Sequence, residues 1–393
     1  MKKVVLAYSG GLDTTCAVHW LKERGFSVIC FSANLGSEFS PADLKRRAGL
    51  SGAEKIYIKD LREEFAKEYI LPALKANACY EEKYLLSTAL GRPLIAKYLV
   101  EIAKKEKASF IAHGCSGKGN DQIRFEVSIN ILAPHLKIIA PLREWDLTSR
   151  EEEIAYALKH KLPIKATKES PYSVDKNIWG VSLEAGELED LEVEVPRNSY
   201  FLTKPLKETE DKEVYLEIEF ERGEPVRLNG KKKTLVSLIE ELNKIGAKAG
   251  VGRTDLIEDR VVGIKSREIY EAPGGWILHF AHRELENLTL DRETLAFKDF
   301  VGKKYAQLVY QGLWYTPLKK ALDAFIEETQ KFVRGIIGIK LYKGNILIVR
   351  RKAVHSLYKK ELATYGEEDK FNKNLAEGFI RLWSLPYQPK IKI

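Results

Sequence analysis

Residues 7–15 read Ala7-Tyr8-Ser9-Gly10-Gly11-Leu12-Asp13-Thr14-Thr15, with Lys3-Val4-Val5-Leu6 before them and Cys16-Ala17-Val18-His19-Trp20-Leu21 after them. The first flank is a short apolar run of strand character, and the second carries helical periodicity. A strand that turns through Ser-Gly-Gly into a helix presents bare backbone N–H groups, hydroxyls and the positive end of a helix. That set suits a chain of phosphates. Two glycines let the backbone curl around an anion with no Cβ in the way. The run contains neither Gly-x-x-x-x-Gly-Lys-Ser/Thr nor Gly-x-Gly-x-x-Gly, so it is a phosphate loop of another kind. It predicts ATP bound at the N-terminal end of the chain.

Outward from this loop, apolar stretches at residues 4–8, 28–32, 55–58, 110–112 and 137–140 read as strands. Helical patterns at 14–23, 62–74, 88–105, 122–132 and 150–159 fall between or after them. Strands rich in Val and Ile without polar alternation belong to a buried parallel sheet. The expected fold is therefore α/β: a Rossmann-like, doubly wound nucleotide-binding domain with ligands at the carboxyl ends of its strands. Gly25 reads as the cap of the first helix, and Thr148 with Glu151, or Ser149 with Glu152, as a capping box. From about Ser170 the texture changes. Strand-like stretches at 214–220, 336–341 and 346–350 alternate with helical ones at 235–245 and 318–333. The expected organisation is a nucleotide-binding domain over 1–168, an α+β domain over 169–362 and a C-terminal helical tail over 363–393. The tail's apolar residues suit an arm that docks on another copy of the chain, and folding back on its own chain stays open beside it.

At 393 residues the chain exceeds one ordinary core. With 45% hydrophobic and 31% charged residues it has a soluble protein's composition, and no apolar stretch approaches the roughly 20 residues of a membrane span. Met1-Lys2-Lys3 leads straight into a strand, so a cytoplasmic location is expected. Cys16, Cys30, Cys79 and Cys115 form no Cys-x-x-Cys pair and read as small buried hydrophobes. The net charge of +8 fits nucleic acid and fits ATP with a dicarboxylic acid equally well, so charge alone does not choose.

A second glycine-rich segment, His113-Gly114-Cys115-Ser116-Gly117-Lys118-Gly119-Asn120-Asp121-Gln122-Ile123-Arg124-Phe125-Glu126, follows the strand at 110–112 and opens another helix. It places Asn120, Asp121 and Arg124 near a helix N-terminus, facing the first loop across the top of one sheet. Asp121 also reads as a helix N-cap.

Ser9-Gly10-Gly11-Leu12-Asp13-Thr14 resembles the Ser-Gly-Gly-x-Asp-Ser/Thr signature of the ATP pyrophosphatases. Further segments extend the likeness: Tyr84 through Pro93, His113-Gly114 through Arg124-Phe125, Pro171 through Asn177, Glu184 through Asp190, and Gly252-Arg253-Thr254-Asp255 through Lys265-Ser266-Arg267-Glu268-Ile269-Tyr270-Glu271. With these, the chain resembles the argininosuccinate synthase family over nearly its full length. The resemblance implies ATP-dependent condensation of citrulline with aspartate through a citrullyl-adenylate, with release of AMP and pyrophosphate. It implies magnesium as cofactor and a homotetramer, with no nucleic-acid or membrane partner. ATP is expected on Ala7, Tyr8, Ser9, Gly10, Gly11, Leu12, Asp13, Thr14, Thr15, Ala33 and Gly114. Citrulline is expected near Tyr84, Ala89, Asn120, Arg124, Ser173, Ser182, Glu258 and Tyr270, and aspartate near Thr88, Ser116, Asn120 and Asp121. Arg124 suits citrulline's carboxylate, and Glu258 its amine. Asp13, Arg92 and Asp121 are the catalytic candidates. For Asp13, orienting the loop, holding magnesium and capping the helix all stay open; for Arg92, a surface salt bridge does. The metal ligands are unassigned.

The chain departs from the family pattern at Ser37, where glutamine is common, at Ala89 and Ser116, in place of serine and threonine, and at Asp259, in place of asparagine. Asp259 is expected to add negative charge near the amine pocket. Two rivals share the first loop: a transfer-RNA thiolase using Cys79 and Cys115, and a nucleotide sensor without turnover. An amidotransferase synthetase lacks its N-terminal cysteine and glutaminase segment here.

Overall fold

The structure is a computed structural model of the chain and describes residues 1–37, 40–164, 172–196 and 199–388. Pro171, the expected boundary at 168/169 and the last five residues of the tail lie outside the described residues. The first half runs β1 (Lys2–Ala7), α1 (Leu12–Glu23), β2 (Phe26–Asn34), α2 (Pro41–Ser51), β3 (Lys55–Asp60), α3 (Arg62–Phe65), α4 (Leu71–Lys75), α5 (Ser87–Glu106), β4 (Phe110–Ala112), α6 (Asn120–Leu132), β5 (Lys137–Ile139), α7 (Pro141–Glu144) and α8 (Arg150–Lys159). The strands form one parallel sheet in the order β3-β2-β1-β4-β5. The doubly wound α/β expectation therefore holds. Val4, Val5 and Leu6 of β1 are fully buried because helices cover both sheet faces. Strand order reverses between β1 and β4, where a crevice opens beyond the strand ends.

Caps fix two helix ends. Gly25, at φ +77°, follows α1 and donates to Lys22 O at 2.9 Å. Of the two capping boxes, Ser149 is the one used, accepting from Glu152 N–H at 3.2 Å, while the Glu152 carboxylate reaches back to Thr148 N–H at 2.6 Å.

The second half comprises β6 (Ser173–Asn177), β7 (Gly180–Glu184), β8 (Val214–Glu221), β9 (Glu224–Leu228), β10 (Lys231–Lys232), α9 (Leu235–Lys248), β11 (Arg253–Asp259) and β12 (Lys265–Glu271). It continues with α10 (Pro273–Thr289), α11 (Arg292–Tyr310), α12 (Pro317–Thr329), β13 (Gly335–Tyr342), β14 (Asn345–Ala353), α13 (Lys360–Ala363) and α14 (Asn374–Ser384). Two antiparallel sheets result, ordered β11-β12-β7-β6 and β10-β9-β8-β13-β14. The turn between β6 and β7 docks on the start of α5: Trp179 Nε1–H donates to Leu85 O and Asn177 Nδ2 to Ser87 O, each at 2.8 Å. One apolar cluster runs from Leu90 and Leu94 through Trp179 to Ile277 and Leu278, so both halves share a core. Among the described residues no helix is long and apolar enough to cross a membrane.

Candidate active site

Where the carboxyl ends of β1, β2 and β4 face the β11-β12-β7-β6 sheet, a cleft of about 1320 Å³ opens. The first glycine loop forms its floor. Thr15 N–H makes the first helical bond to Gly11 O at 3.1 Å, so the amides of Leu12, Asp13 and Thr14 lie at the unpaired N-terminal end of α1. Ser9 Oγ accepts from Gly11 N–H at 3.2 Å and shares a hydrogen bond with Thr14 Oγ1 at 3.1 Å, which fixes the curl. Gly10 adopts φ +75°, and a Cβ there would stand 2.6 Å from Leu44 Cδ2. Arg47 of α2 donates to Gly10 O, placing a guanidinium at the loop's edge. The second loop lies alongside: a Cβ on Gly114 would stand 2.9 Å from Thr14 Cγ2, so only glycine lets the two loops approach this closely.

Opposite the loops, tyrosines organise a buried acid. Glu258 accepts from Tyr270 OH and Tyr310 OH, both at 2.5 Å, while Asn120 Nδ2 donates to Tyr310 OH at 2.8 Å. Burial pushes the Glu258 carboxyl above its ordinary range, against the pull of the two phenol donors. Tyr84 stacks on Tyr270 at 3.9 Å between centroids, and its hydroxyl accepts from the Thr88 and Ala89 amides at 3.0 and 3.3 Å. Thr88 Oγ1 meets Ser182 Oγ at 2.9 Å.

Between loop and acid runs a line of charge. Asp121 accepts from Arg92 Nη2 at 2.7 Å and from Arg124 Nη1 at 2.9 Å, and Arg92 also donates to Asp175 of β6. Burial alone would raise Asp121; the two guanidiniums outweigh it and hold the carboxyl below its usual range.

Two family models match the chain, the arginosuccinate synthase N-terminal HUP domain over residues 3–163 and the arginosuccinate synthase C-terminal domain over residues 172–390. The chain belongs to the argininosuccinate synthase family. Argininosuccinate synthases of Chlorobium phaeobacteroides, Carboxydothermus hydrogenoformans and Caldanaerobacter subterraneus are 54%, 54% and 55% identical to it over 98% of this chain, and the matches cover 96%, 96% and 94% of their lengths. It is accordingly an enzyme, an ATP-dependent ligase that forms argininosuccinate from citrulline and aspartate.

Within the enzyme, Ala7, Tyr8, Ser9, Asp13, Thr14, Ala33 and Gly114 line the cleft on the side of the two glycine loops. Tyr84, Thr88, Arg92, Ser116, Asn120, Asp121, Arg124, Ser173, Ser182, Glu258 and Tyr270 line the rest. Gly10, Gly11, Leu12 and Thr15 do not line it; Leu12 and Thr15 are buried in the body of the domain, so this part of the loop offers backbone only. Ala89, expected near citrulline, is fully buried and lies outside the cleft wall; its amide donates to the Tyr84 hydroxyl.

Other expectations are corrected as well. Gly11 and Gly119 are the N-caps of α1 and α6, so neither Asp13 nor Asp121 is a cap. Arg92 is no surface ion pair, since its partners Asp121 of α6 and Asp175 of β6 are both cleft residues. Asp259 does not charge the amine pocket: strand alternation turns it to the opposite face from Glu258, where it is exposed and paired with Lys265. Cys115 lines the cleft, but burial pushes its thiol up, the reverse of what a thiolate carrier requires.

Sequence reasoning missed Arg47, Asp175, Arg260 and Tyr310. Arg260 bridges Glu184 and Glu268 and donates to Lys118 O at 3.3 Å, tying the β11–β12 turn to the second glycine loop. Asp175 and Arg260 lie inside segments that carry the family resemblance, whereas Arg47 and Tyr310 lie outside them.

Proposed function

We propose that this cleft adenylylates citrulline and then passes the activated carbon to aspartate. The single observation behind the reading is the apposition of two glycine loops at the β1/β4 reversal with the Glu258–Tyr270–Tyr310 pocket across one cleft. The loop amides and the N-terminal end of α1 take the phosphates of ATP. Citrulline lies against Tyr84 with its amine toward Glu258. Its carboxylate goes to Arg124, which offers five donors and spends two on Tyr310 O and Asp121. The ureido oxygen attacks the α-phosphorus, pyrophosphate leaves, and the aspartate amine attacks the activated carbon with release of AMP. Thr88, Ser116, Asn120 and Asp121 hold aspartate for that second step. Positioning supplies most of the acceleration, and fixed amides and guanidiniums stabilise charge on the phosphates.

Magnesium fits the oxygen donors that the loop brings to the cleft, the Asp13 carboxylate and the Ser9 and Thr14 hydroxyls, and these residues would hold it. Behind Asp13, burial and then the Asp13 charge push the Glu153 carboxyl up to about 9, so Glu153 supports the loop as a neutral acid. When bound, the ion would neutralise phosphate charge. The enzyme works in the cytoplasm as a homotetramer built through α14.

Pyrophosphate and AMP are measured with citrulline and aspartate omitted in turn. Pyrophosphate release that needs citrulline, argininosuccinate formation that needs both amino acids, and indifference to Cys115→Ala support the reading. AMP formed with neither amino acid overturns it.

A further inference from the structure

Away from the cleft, the far end of α1 meets α8 in a cluster that the ligase chemistry leaves unused. His19 and Glu23 lie one turn apart on α1, and His160 follows the last turn of α8. One ligand atom from each of the three lies within 4.8 Å of the others. Among the described residues no other trio of His, Cys, Asp or Glu brings its ligand atoms together this way. His19 Nδ1 stands 2.8 Å from Tyr156 OH and 3.7 Å from Glu23 Oε2, and Tyr156 OH donates to Glu23 at 2.9 Å. The His19 and His160 rings sit 4.4 Å apart.

We propose that His19, Glu23 and His160 form a divalent transition-metal site of the zinc class, which clamps α8 to α1. Two imidazoles and one carboxylate are a common zinc donor set, and tetrahedral zinc with bonds of about 2.0–2.1 Å needs ligand atoms about 3.3 Å apart. Side-chain rotation alone closes the remaining gap. The donors come from two helices, so the metal links elements 137 residues apart in sequence that otherwise meet here through Tyr156. Imidazole donors favour zinc, cobalt or nickel over magnesium or calcium, which take oxygen ligands. None of the three residues lines the cleft, so the site is separate from the place where magnesium accompanies ATP. The clamp also bears on the loop: α8 holds Glu153, whose carbonyl accepts from the Cys16 thiol of α1.

The test uses the full chain after chelator treatment, titrated with zinc chloride by calorimetry and with cobalt chloride by visible absorption, magnesium chloride serving as control. One zinc per chain is expected, with tetrahedral cobalt bands and a melting midpoint raised by about 4 °C at a hundredfold excess over Kd. His160→Ala and Glu23→Gln should each weaken zinc at least tenfold and abolish the midpoint shift. Tyr156→Phe, which keeps all three ligands, should retain binding. No zinc uptake by the parent chain, or uptake unchanged in His160→Ala, overturns the proposal.

Discussion

Tyr310 shows how much of the pocket depends on one hydroxyl. It donates to Glu258, accepts from Asn120, and its ring lies flat on Tyr80 at 3.6 Å, while its carbonyl takes Arg124 Nε–H at 2.9 Å. Replacing it with Phe leaves the ring and the carbonyl in place and removes only the hydroxyl. A hydrogen bond to a charged group contributes about 1.5–3 kcal/mol, so Tyr310→Phe is expected to lower kcat/KM for citrulline by about 10- to 100-fold. The KM for ATP should stay unchanged, as should the melting midpoint within a few degrees. Pyrophosphate release against citrulline and against ATP reads both. Equal losses toward the two substrates would mean that the hydroxyl supports the fold rather than the amine pocket. Nothing in the sequence singled this residue out, because its partner lies 52 positions away and the pairing exists only once α11 has packed beside β11. Glu258 and Tyr270 carried no local signal either and were reached only through the family resemblance, whereas the glycine loops declared themselves by composition.

At the level of elements, those with one strong physical signal were legible. The strands of the parallel sheet are runs of Val and Ile, α1 stops just before Gly25, and α8 begins at its Ser149 cap. α2 was not legible: of its 11 residues only Leu44, Ala48 and Ser51 are buried, too thin an apolar stripe to stand out among Lys and Arg. α10 was hidden for a different reason. It opens Pro273-Gly274-Gly275, which reads as a turn, yet Gly274 is there because a Cβ would stand 3.0 Å from Ile239 O of α9. The same helix carries two buried imidazoles, and they set an acid limit. Burial, with lesser help from neighbouring His282, Arg283 and Lys298, lowers His279 to about 3, and burial also lowers His282. An unfolded histidine titrates near about 6.5, so as pH falls the unfolded chain binds protons first and stability declines from about pH 6.5 toward 3. Above that window these groups contribute no pH dependence. His279→Gln should flatten the fall in stability between pH 6.5 and 4.5 by up to one proton per chain, whatever its effect at pH 7.5. Urea midpoints across that range measure it, and an unchanged slope would contradict the assignment.

For the whole molecule, the two halves are joined through a common core, and the site is their seam: Arg92 of the parallel-sheet half is held by Asp175 of the other, and Asn120 by Tyr310. The tail stands outside this arrangement. α14 spans 11 residues, none of them buried, and Leu375, Phe379, Ile380, Leu382 and Trp383 are each more than half exposed. An isolated helix shorter than about 12–15 residues is marginal in water, and α14 buries no residue among the described ones, which suits the proposed docking on another copy of the chain. Its apolar face is also contiguous, as Phe379 stacks on Trp383 at 5.5 Å, one helical turn away. Burial of such side chains contributes about 25 cal/mol per Å², enough for a few helices of this kind to hold an assembly together. Deleting residues 363–393 should therefore lower the assembly mass, measured by light scattering, from a multiple of 44.7 kDa toward the single chain. The parallel sheet and cleft lie elsewhere and should survive the deletion, so ATP should still bind. Replacing Phe379 and Trp383 with Ser should have the same effect with the chain length kept. An unchanged mass in both variants would mean that the arm folds back on its own chain, and the apolar face would then have to find its cover there.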